Sequence, residues 1–340
     1  MATVVACGGF AAITGSSPAT AATMGKVALP EMKKFNYDTK LTAGAVAAGG
    51  TLGILIPPSM GFILYGILTE ESVGKLFMAG VIPGLLEILF YVATIFVMCG
   101  INPSLGPAGP KTSIKEKVVS LRHTWAMMAL FMLVIGGIYG GIFTPTEAAA
   151  FGVIGVGATA LANGMRMDGL KEALTGTAVS TGMIYMILLG ADIFNAFLSQ
   201  TQLPQTLAES IGSSGLSPMM ILIMILLLYL VLGCVIDALS MILLTIPIFF
   251  PIISALDFGM SAEHTAIWFG IIVLIVVEVG LITPPVGLNV FVINSLARDI
   301  PMIETFKGVI PFLISDAVRV ALIILLPVIT LILPRLLAIE

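Results

Sequence analysis

Two apolar runs in this chain are each broken by glycines and closed by a proline pair. They read Gly50-Thr-Leu-Gly-Ile-Leu-Ile-Pro-Pro58 near the start and Glu278-Val-Gly-Leu-Ile-Thr-Pro-Pro285 near the end. A chain crossing a bilayer must satisfy its own backbone N–H and C=O groups, so irregular backbone at depth survives only where it is buried in protein or lines a polar cavity. Two such breaks at corresponding places of two half-chains point to a substrate and ion site near the midplane, and so to a transporter. Composition agrees on the solvent. Apolar residues make up 58% of the chain and charged ones 10%, against roughly 45–50% and 25% in soluble domains. The fold class expected is an all-α polytopic membrane protein.

Long apolar runs lie at about 41–68, 76–100, 124–143, 147–164, 173–199, 217–256, 265–294 and 309–333. Most are long enough to cross the hydrocarbon, which takes roughly 20 residues. Short cytoplasmic loops carry an excess of Lys and Arg. Twelve of the fifteen here fall in four places: 26–40, 111–122 (Lys111, Lys115, Lys117, Arg122), 166–171 and 298–307. The connections near 144–147, 200–216 and 257–264 carry none. With basic loops inside, 41–68 runs outward and 265–294 inward, so the two broken helices are antiparallel. Both flanks of 217–256 are then outside, which makes it a re-entrant hairpin with its tip near Gly233 to Asp237. By symmetry residues 1–29 form a hairpin entering from the cytoplasm, with its tip at Gly15 to Pro18. A hairpin followed by a broken helix, repeated upside down, is an inverted-topology repeat. The expected organisation is a first repeat at 1–143, connecting helices at 144–200, and a second repeat at 201–340 that ends in one helix over 309–333.

At the first tip, Ser17 suits an N-cap and Pro18 the first helical position. The arm ending at Thr14 and Gly15 leaves carbonyls unpaired, which suits a small cation. Ser16 and Ser17 hydroxyls and the carbonyls of Gly49, Gly50 and Gly53 could complete a sodium-sized oxygen cage. The bland reading of the same residues is an ordinary loop cap. At the second tip Asp237 takes the place of the serines, with Ser240 one turn on and Thr283 just before the prolines. An intramembrane carboxylate is paired or functional by default. Glu278, five residues before Thr283, reads equally as a second carboxylate of that site or as a structural group. Asp316 and Arg319 are spaced for a local ion pair, while Glu87 and Asp192 have no evident partner.

Other classes fit poorly. His123 and His264 fall at loop ends on opposite sides, which leaves no metal cluster and no serine–histidine pair. A membrane aspartyl protease would have only Asp192 and Asp237 to use, and no context singles them out. Cys7, Cys99 and Cys234 lie far apart in apolar stretches and read as packing residues. The first residues lack the basic region of a signal peptide, so none is expected to be cleaved. Thr144-Pro-Thr-Glu147 reads as a capping box. The net charge of −4 points neither to nucleic acid nor to an acidic partner.

Several stretches, taken together, resemble the large membrane subunit of tripartite ATP-independent periplasmic (TRAP) transporters. They are Phe10-Ala-Ala-Ile-Thr-Gly-Ser-Ser-Pro-Ala-Thr-Ala-Ala-Thr23, Leu29-Pro-Glu-Met-Lys33, Gly49-Gly-Thr-Leu-Gly-Ile-Leu-Ile-Pro-Pro-Ser59, Ser72-Val-Gly-Lys-Leu-Phe77, Gly141-Ile-Phe-Thr-Pro-Thr-Glu-Ala148, Pro247-Ile-Phe-Phe-Pro251 and Gly280-Leu-Ile-Thr-Pro-Pro-Val-Gly-Leu-Asn289. The resemblance implies a non-enzymatic permease of the bacterial inner membrane, with sodium as coupling ion and no other cofactor. It implies uptake of an organic acid, such as a dicarboxylate or sialic acid, handed over by a periplasmic binding protein, with a small membrane subunit as scaffold. An elevator-like motion would carry the hairpins and broken helices against a fixed frame. Ser16, Ser17, Gly50, Gly53 and Pro57 would surround one sodium, and Asp237, Ser240, Gly280, Thr283 and Pro284 the other. The acid would lie between the tips, by Thr14, Gly15, Pro58, Pro285 and Asn289. The resemblance also implies membrane segments ahead of the first hairpin, and an uncharged residue where Glu278 stands. The alternatives are a stand-alone sodium-coupled anion carrier of the wider ion-transporter group and a truncated, non-transporting membrane scaffold.

Overall fold

A computed structural model describes residues 1–107, 125–212 and 215–337. The basic run 111–122 and His123 lie outside the described residues. Among those described, every regular element is helical. The chain divides into two compact units, one made of Met1–Ala108 with Thr201–Glu340, the other of Gly109–Gln200.

The larger unit contains α1 (Ala2–Thr14), α2 (Ser17–Lys34), α3 (Thr39–Leu55), α4 (Met60–Thr69) and α5 (Val73–Ile101). In the smaller unit follow α6 (Trp125–Tyr139), α7 (Pro145–Ala162) and α8 (Met167–Thr201). The larger unit resumes with α9 (Leu203–Gly212), α10 (Pro218–Gly233), α11 (Ala238–Ser254), α12 (Ala262–Gly280), α13 (Leu288–Leu296), α14 (Met302–Leu325) and α15 (Val328–Leu337). Among the described residues α5, α7, α8, α12 and α14 are each long and apolar enough to cross a membrane, and α3 with α4 forms a sixth such span bent by 40° at its break.

Two helices form the centre of the larger unit. Every residue of α3 from Leu41 to Leu55 is buried, as is α12 from Thr265 to Glu278. A helix that is apolar all round belongs in the interior rather than on a surface. The small residues of α3 let neighbouring backbones approach closely, as at membrane helix interfaces generally. Opposite Gly44, for example, α14 presents Gly308, whose Cα would sit 2.9 Å from a Cβ at position 44. Around α3 pack α1, α2, α5, α13 and α14, and around α12 pack α5, α10, α11 and α14.

Local chemistry sets the ends of these helices. Asp38 caps α3 by accepting the N–H groups of Lys40 and Leu41. The helix stops at Leu55 because a proline forces the residue before it out of the helical region, and Ile56 is extended with ψ 120°. The same effect corrects one expectation. Residues 309–333 are not a single helix: α14 ends at Leu325 and α15 begins at Val328, because Pro327 lacks the N–H that the ladder needs and biases Leu326 away from helical angles. The stretch 200–216, read as a connection, contains α9, which packs against α11.

In the smaller unit α6 packs against α7, with the rings of Phe143 and Phe151 4.5 Å apart. The capping box at the start of α7 is present. Thr144 Oγ1 accepts the Glu147 N–H at 3.3 Å, and Glu147 Oε2 accepts the Thr144 N–H at 2.8 Å. Replacing Thr144 by alanine is expected to cost about 1 kcal/mol, seen as a small fall in the melting midpoint of the purified protein. An unchanged midpoint would mean that α7 does not depend on its cap.

Candidate functional site

The two helix pairs expected as hairpins are each interrupted at a short tip, and each tip meets the break of a long helix. At the first, α1 ends at Thr14 and Gly15 turns the chain with φ 59°. Ser16 is the extended residue that precedes α2, and no side chain caps that helix. This shifts the expected cap by one position. Ser17 is the first helical residue, and its hydroxyl is used elsewhere. Thr14 and Thr20 hydroxyls lie 2.6 Å apart across the tip. In the facing break, Ile56 to Pro58 lead to Ser59, which caps α4.

Tip and break are in contact through backbone. A Cβ on Gly53 would lie 2.5 Å from the Ser16 carbonyl oxygen and 2.7 Å from the Ser17 Cα. One on Gly15 would lie 3.2 Å from the Pro58 carbonyl oxygen. The second tip repeats the arrangement. There α10 ends at Gly233, and Asp237 caps α11 by accepting the Ser240 N–H at 3.0 Å. A Cβ on Gly280 would meet the Gly233 Cα at 2.7 Å, and the Gly287 N–H donates to the Cys234 carbonyl at 3.2 Å. Within this break the Thr283 hydroxyl bonds back to the Val279 carbonyl at 2.6 Å. Both proline pairs are joined by a cis peptide bond. Pro57 is buried, whereas Pro284 and Pro285 are exposed.

Two side chains of the second half reach the first tip or the helix on which it sits. Ser17, fully buried, donates to Glu278 Oε2 at 2.5 Å, and Glu278 is 1% exposed. Glu278 therefore bonds to the serine tip of the first half rather than to Thr283 or Asp237 of its own half. The Asn289 side-chain amide lies against Gly50, with Nδ2 3.2 Å from where a Cβ would be. Glu278 Oε1 and both amide atoms of Asn289 are buried without a hydrogen-bond partner. The first tip and the helix beneath it thus gather buried hydroxyl, carbonyl, amide and carboxylate oxygens, of which Glu278 Oε1 and Asn289 Oδ1 are acceptors without a partner. That donor set fits a small hard cation.

The expected pair of Asp316 and Arg319 is present, with Arg319 Nη2 2.9 Å from Asp316 Oδ1. Glu87, whose partner was not evident in the sequence, is bound by Arg319 Nη1 at 2.7 Å. The two lie 232 positions apart, a pairing no local pattern could signal. Asp192 is exposed on α8. At the far end of α2, Lys33 reaches Asp299 beyond α13 at 2.5 Å and holds that carboxyl below the usual carboxylate range. Both side chains are well exposed, so the pair contributes little stability.

The model of the tripartite ATP-independent periplasmic transporter DctM component matches residues 1–329. The chain belongs to that family. A C4-dicarboxylate TRAP transporter large permease of Pseudomonas aeruginosa is 38% identical over 337 residues, covering 98% of this chain and 77% of that one. The sialic acid TRAP large permease of Vibrio cholerae is 32% identical, covering 96% and 75%. The ectoine TRAP large permease of Halomonas elongata is 31% identical, covering 97% and 75%. As a DctM-family chain it is a transporter permease component rather than an enzyme, and it is a membrane protein. In this family chain the tip sequences and the broken helices fall on the stretches that contact one another.

Proposed function

We propose that this chain is the large permease of a sodium-coupled TRAP transporter in a bacterial inner membrane, importing an organic acid delivered by a periplasmic binding protein and working with a small membrane subunit. The observation that carries this reading is that a hairpin tip is seated on a helix break twice, through Ser16 on Gly53 and through Gly233 on Gly280. Such breaks, at matching places of two half-chains, are where transporters hold substrate and coupling ions. The halves, 1–143 and 201–340, would be inverted repeats joined by 144–200, and the hairpins with their broken helices would move together as the elevator.

One sodium would lie among Ser16, Ser17, Gly50, Gly53 and Pro57, with Glu278 and Asn289 as additional oxygen donors. The other would lie among Asp237, Ser240, Gly280, Thr283 and Pro284. The substrate would lie by Thr14, Gly15, Pro58, Pro285 and Asn289. The start of α2 has no side-chain cap, and free N–H groups at a helix N-terminus favour an anion. C4-dicarboxylates, sialic acid and ectoine, named for the relatives, all present a carboxylate, which is the group such an end would receive.

The test is sodium-dependent uptake in reconstituted vesicles with the binding protein and small subunit present. Asp237→Asn removes a charge but preserves the cap, since Asn and Asp are comparable N-caps. The half-saturating sodium concentration is expected to rise about tenfold or more, a loss of about 1.4 kcal/mol. Ser17→Ala is expected to weaken sodium dependence as well, and it also strips Glu278 of its donor. Wild-type sodium dependence in both variants would remove the proposed sites.

A further inference from the structure

Away from the tips, three helices enclose a second group of polar side chains. Thr51 on α3, Glu87 and Tyr91 on α5, and Asp316 and Arg319 on α14 are all 0–1% exposed. Arg319 Nη1 donates to Glu87 Oε2 at 2.7 Å, and Nη2 lies 2.9 Å from Asp316 Oδ1. The Tyr91 hydroxyl donates to Asp316 Oδ2 at 2.7 Å. Thr51 Oγ1 is 2.5 Å from the Ala48 carbonyl oxygen, 2.8 Å from Glu87 Oε1 and 3.1 Å from the Tyr91 hydroxyl.

Charge and hydrogen counts both fall short here. Among the described residues two carboxylates share one guanidinium, which leaves one buried negative charge uncompensated, and buried charge without a partner costs several kcal/mol. Glu278 on α12, the other fully buried acid among the described residues, is bonded to Ser17 rather than to this group. The hydroxyls of Thr51 and Tyr91 supply one hydrogen each, yet four oxygen–oxygen contacts await one. Tyr91 serves Asp316, and Thr51 can serve either Ala48 or Glu87. A hydrogen on Glu87 Oε1, donated to Thr51, fills the three shortest contacts and leaves only the 3.1 Å one empty. Placed on Asp316, it would leave one of the two shorter Thr51 contacts unfilled.

We propose that Glu87, Tyr91, Asp316, Arg319 and Thr51 form a proton-binding site that holds one proton on Glu87 Oε1. The site is separate from the tip sites, and its existence does not rest on the transport reading. With the proton bound, the group is neutral as a whole: Asp316 and Arg319 form the ion pair and Glu87 is an uncharged acid. When the proton leaves, Glu87 takes the hydrogen of Thr51, which lets go of the Ala48 carbonyl. That change falls on α3 between Gly50 and Gly53, so loss of the proton is felt on the helix that carries the first tip's contact.

Infrared spectroscopy of the whole purified chain in lipid nanodiscs tests this. A carboxylic-acid C=O band that shifts in heavy water is expected at neutral pH. In a Glu278→Gln background it should move when glutamate carries a heavy-carbon label in its side-chain carboxyl, stay in place when aspartate is labelled, and vanish when Glu87→Gln is added. Absence of the band from Glu278→Gln, movement with labelled aspartate, or survival of the glutamate band in the Glu278→Gln, Glu87→Gln double variant would each overturn the proposal. If Glu87→Gln does not fold, the labelled Glu278→Gln protein decides instead: its glutamate band must be present at neutral pH and disappear as pH is raised, and a spectrum without it refutes the site.

Discussion

Replacing Gly53 by alanine is expected to abolish sodium-dependent uptake while the protein still inserts in the membrane. The added Cβ would stand 2.5 Å from the Ser16 carbonyl oxygen, 2.6 Å from its carbon and 2.7 Å from the Ser17 Cα. All three are backbone atoms, so no side-chain rotation relieves the collision and the tip must move. Overpacking of a well-packed interior costs about 1–3 kcal/mol, and here the strain falls on the oxygens that would hold the cation. The Ser16 carbonyl cannot both avoid the new methyl and keep its place opposite the break. The same substitution at Gly9, on the arm that leads to this tip, has nothing within 4 Å of its Cβ and serves as the control. Reconstituted uptake and the melting midpoint, measured together, separate site loss from general unfolding. Wild-type transport by Gly53→Ala would show that the tip does not need to sit against α3.

The tips and breaks were legible because the residues that make them announce themselves. Gly15, Pro57, Pro58, Asp237, Pro284 and Pro285 each impose or favour a conformation that a membrane helix cannot continue, and the apolar arms around them say where the breaks lie. The break at Pro327 carries the same kind of signal, yet its apolar flanks run on through 309–333 and hide it. Pairing across the fold was not legible. Glu278 reads as a neighbour of Thr283 along the chain, whereas the packing of the two halves sets it against Ser17, 261 positions away. Asn289 likewise belongs in sequence to the second break but lies against Gly50 of the first half. Glu87 found Arg319 for the same reason: a buried charge specifies that it needs a partner, and only the packing of α5 on α14 says which one. Residue type thus predicted where the chain would bend and which groups would need company, and tertiary packing chose the company.

That choice gives the second large effect. Arg319→Met is expected to destabilise the chain severely, by about 3–5 kcal/mol, the cost of breaking a buried ion pair from one side. The guanidinium is 1% exposed and sits between Glu87 at 2.7 Å and Asp316 at 2.9 Å. Methionine fills much of the space but leaves Asp316 without a counter-charge and Glu87 without its guanidinium donor in the middle of α3, α5 and α14. Tyr91 and Thr51 then become the remaining hydrogen-bonding company of those acids, and neither carries a charge. The effect should be reversible by design. Adding Glu87→Gln and Asp316→Asn to Arg319→Met removes the stranded charge of Asp316 and the acid beside it, and a neutral group of similar volume in place of a buried ion network is often close to neutral in stability. Melting midpoints in one detergent should fall sharply for the single variant and recover most of the loss in the triple. A single variant that melts with the wild type would mean that the ion pair does not hold α5 to α14. A triple variant no better than the single would mean that Arg319 acts through packing of its stem rather than through its charge.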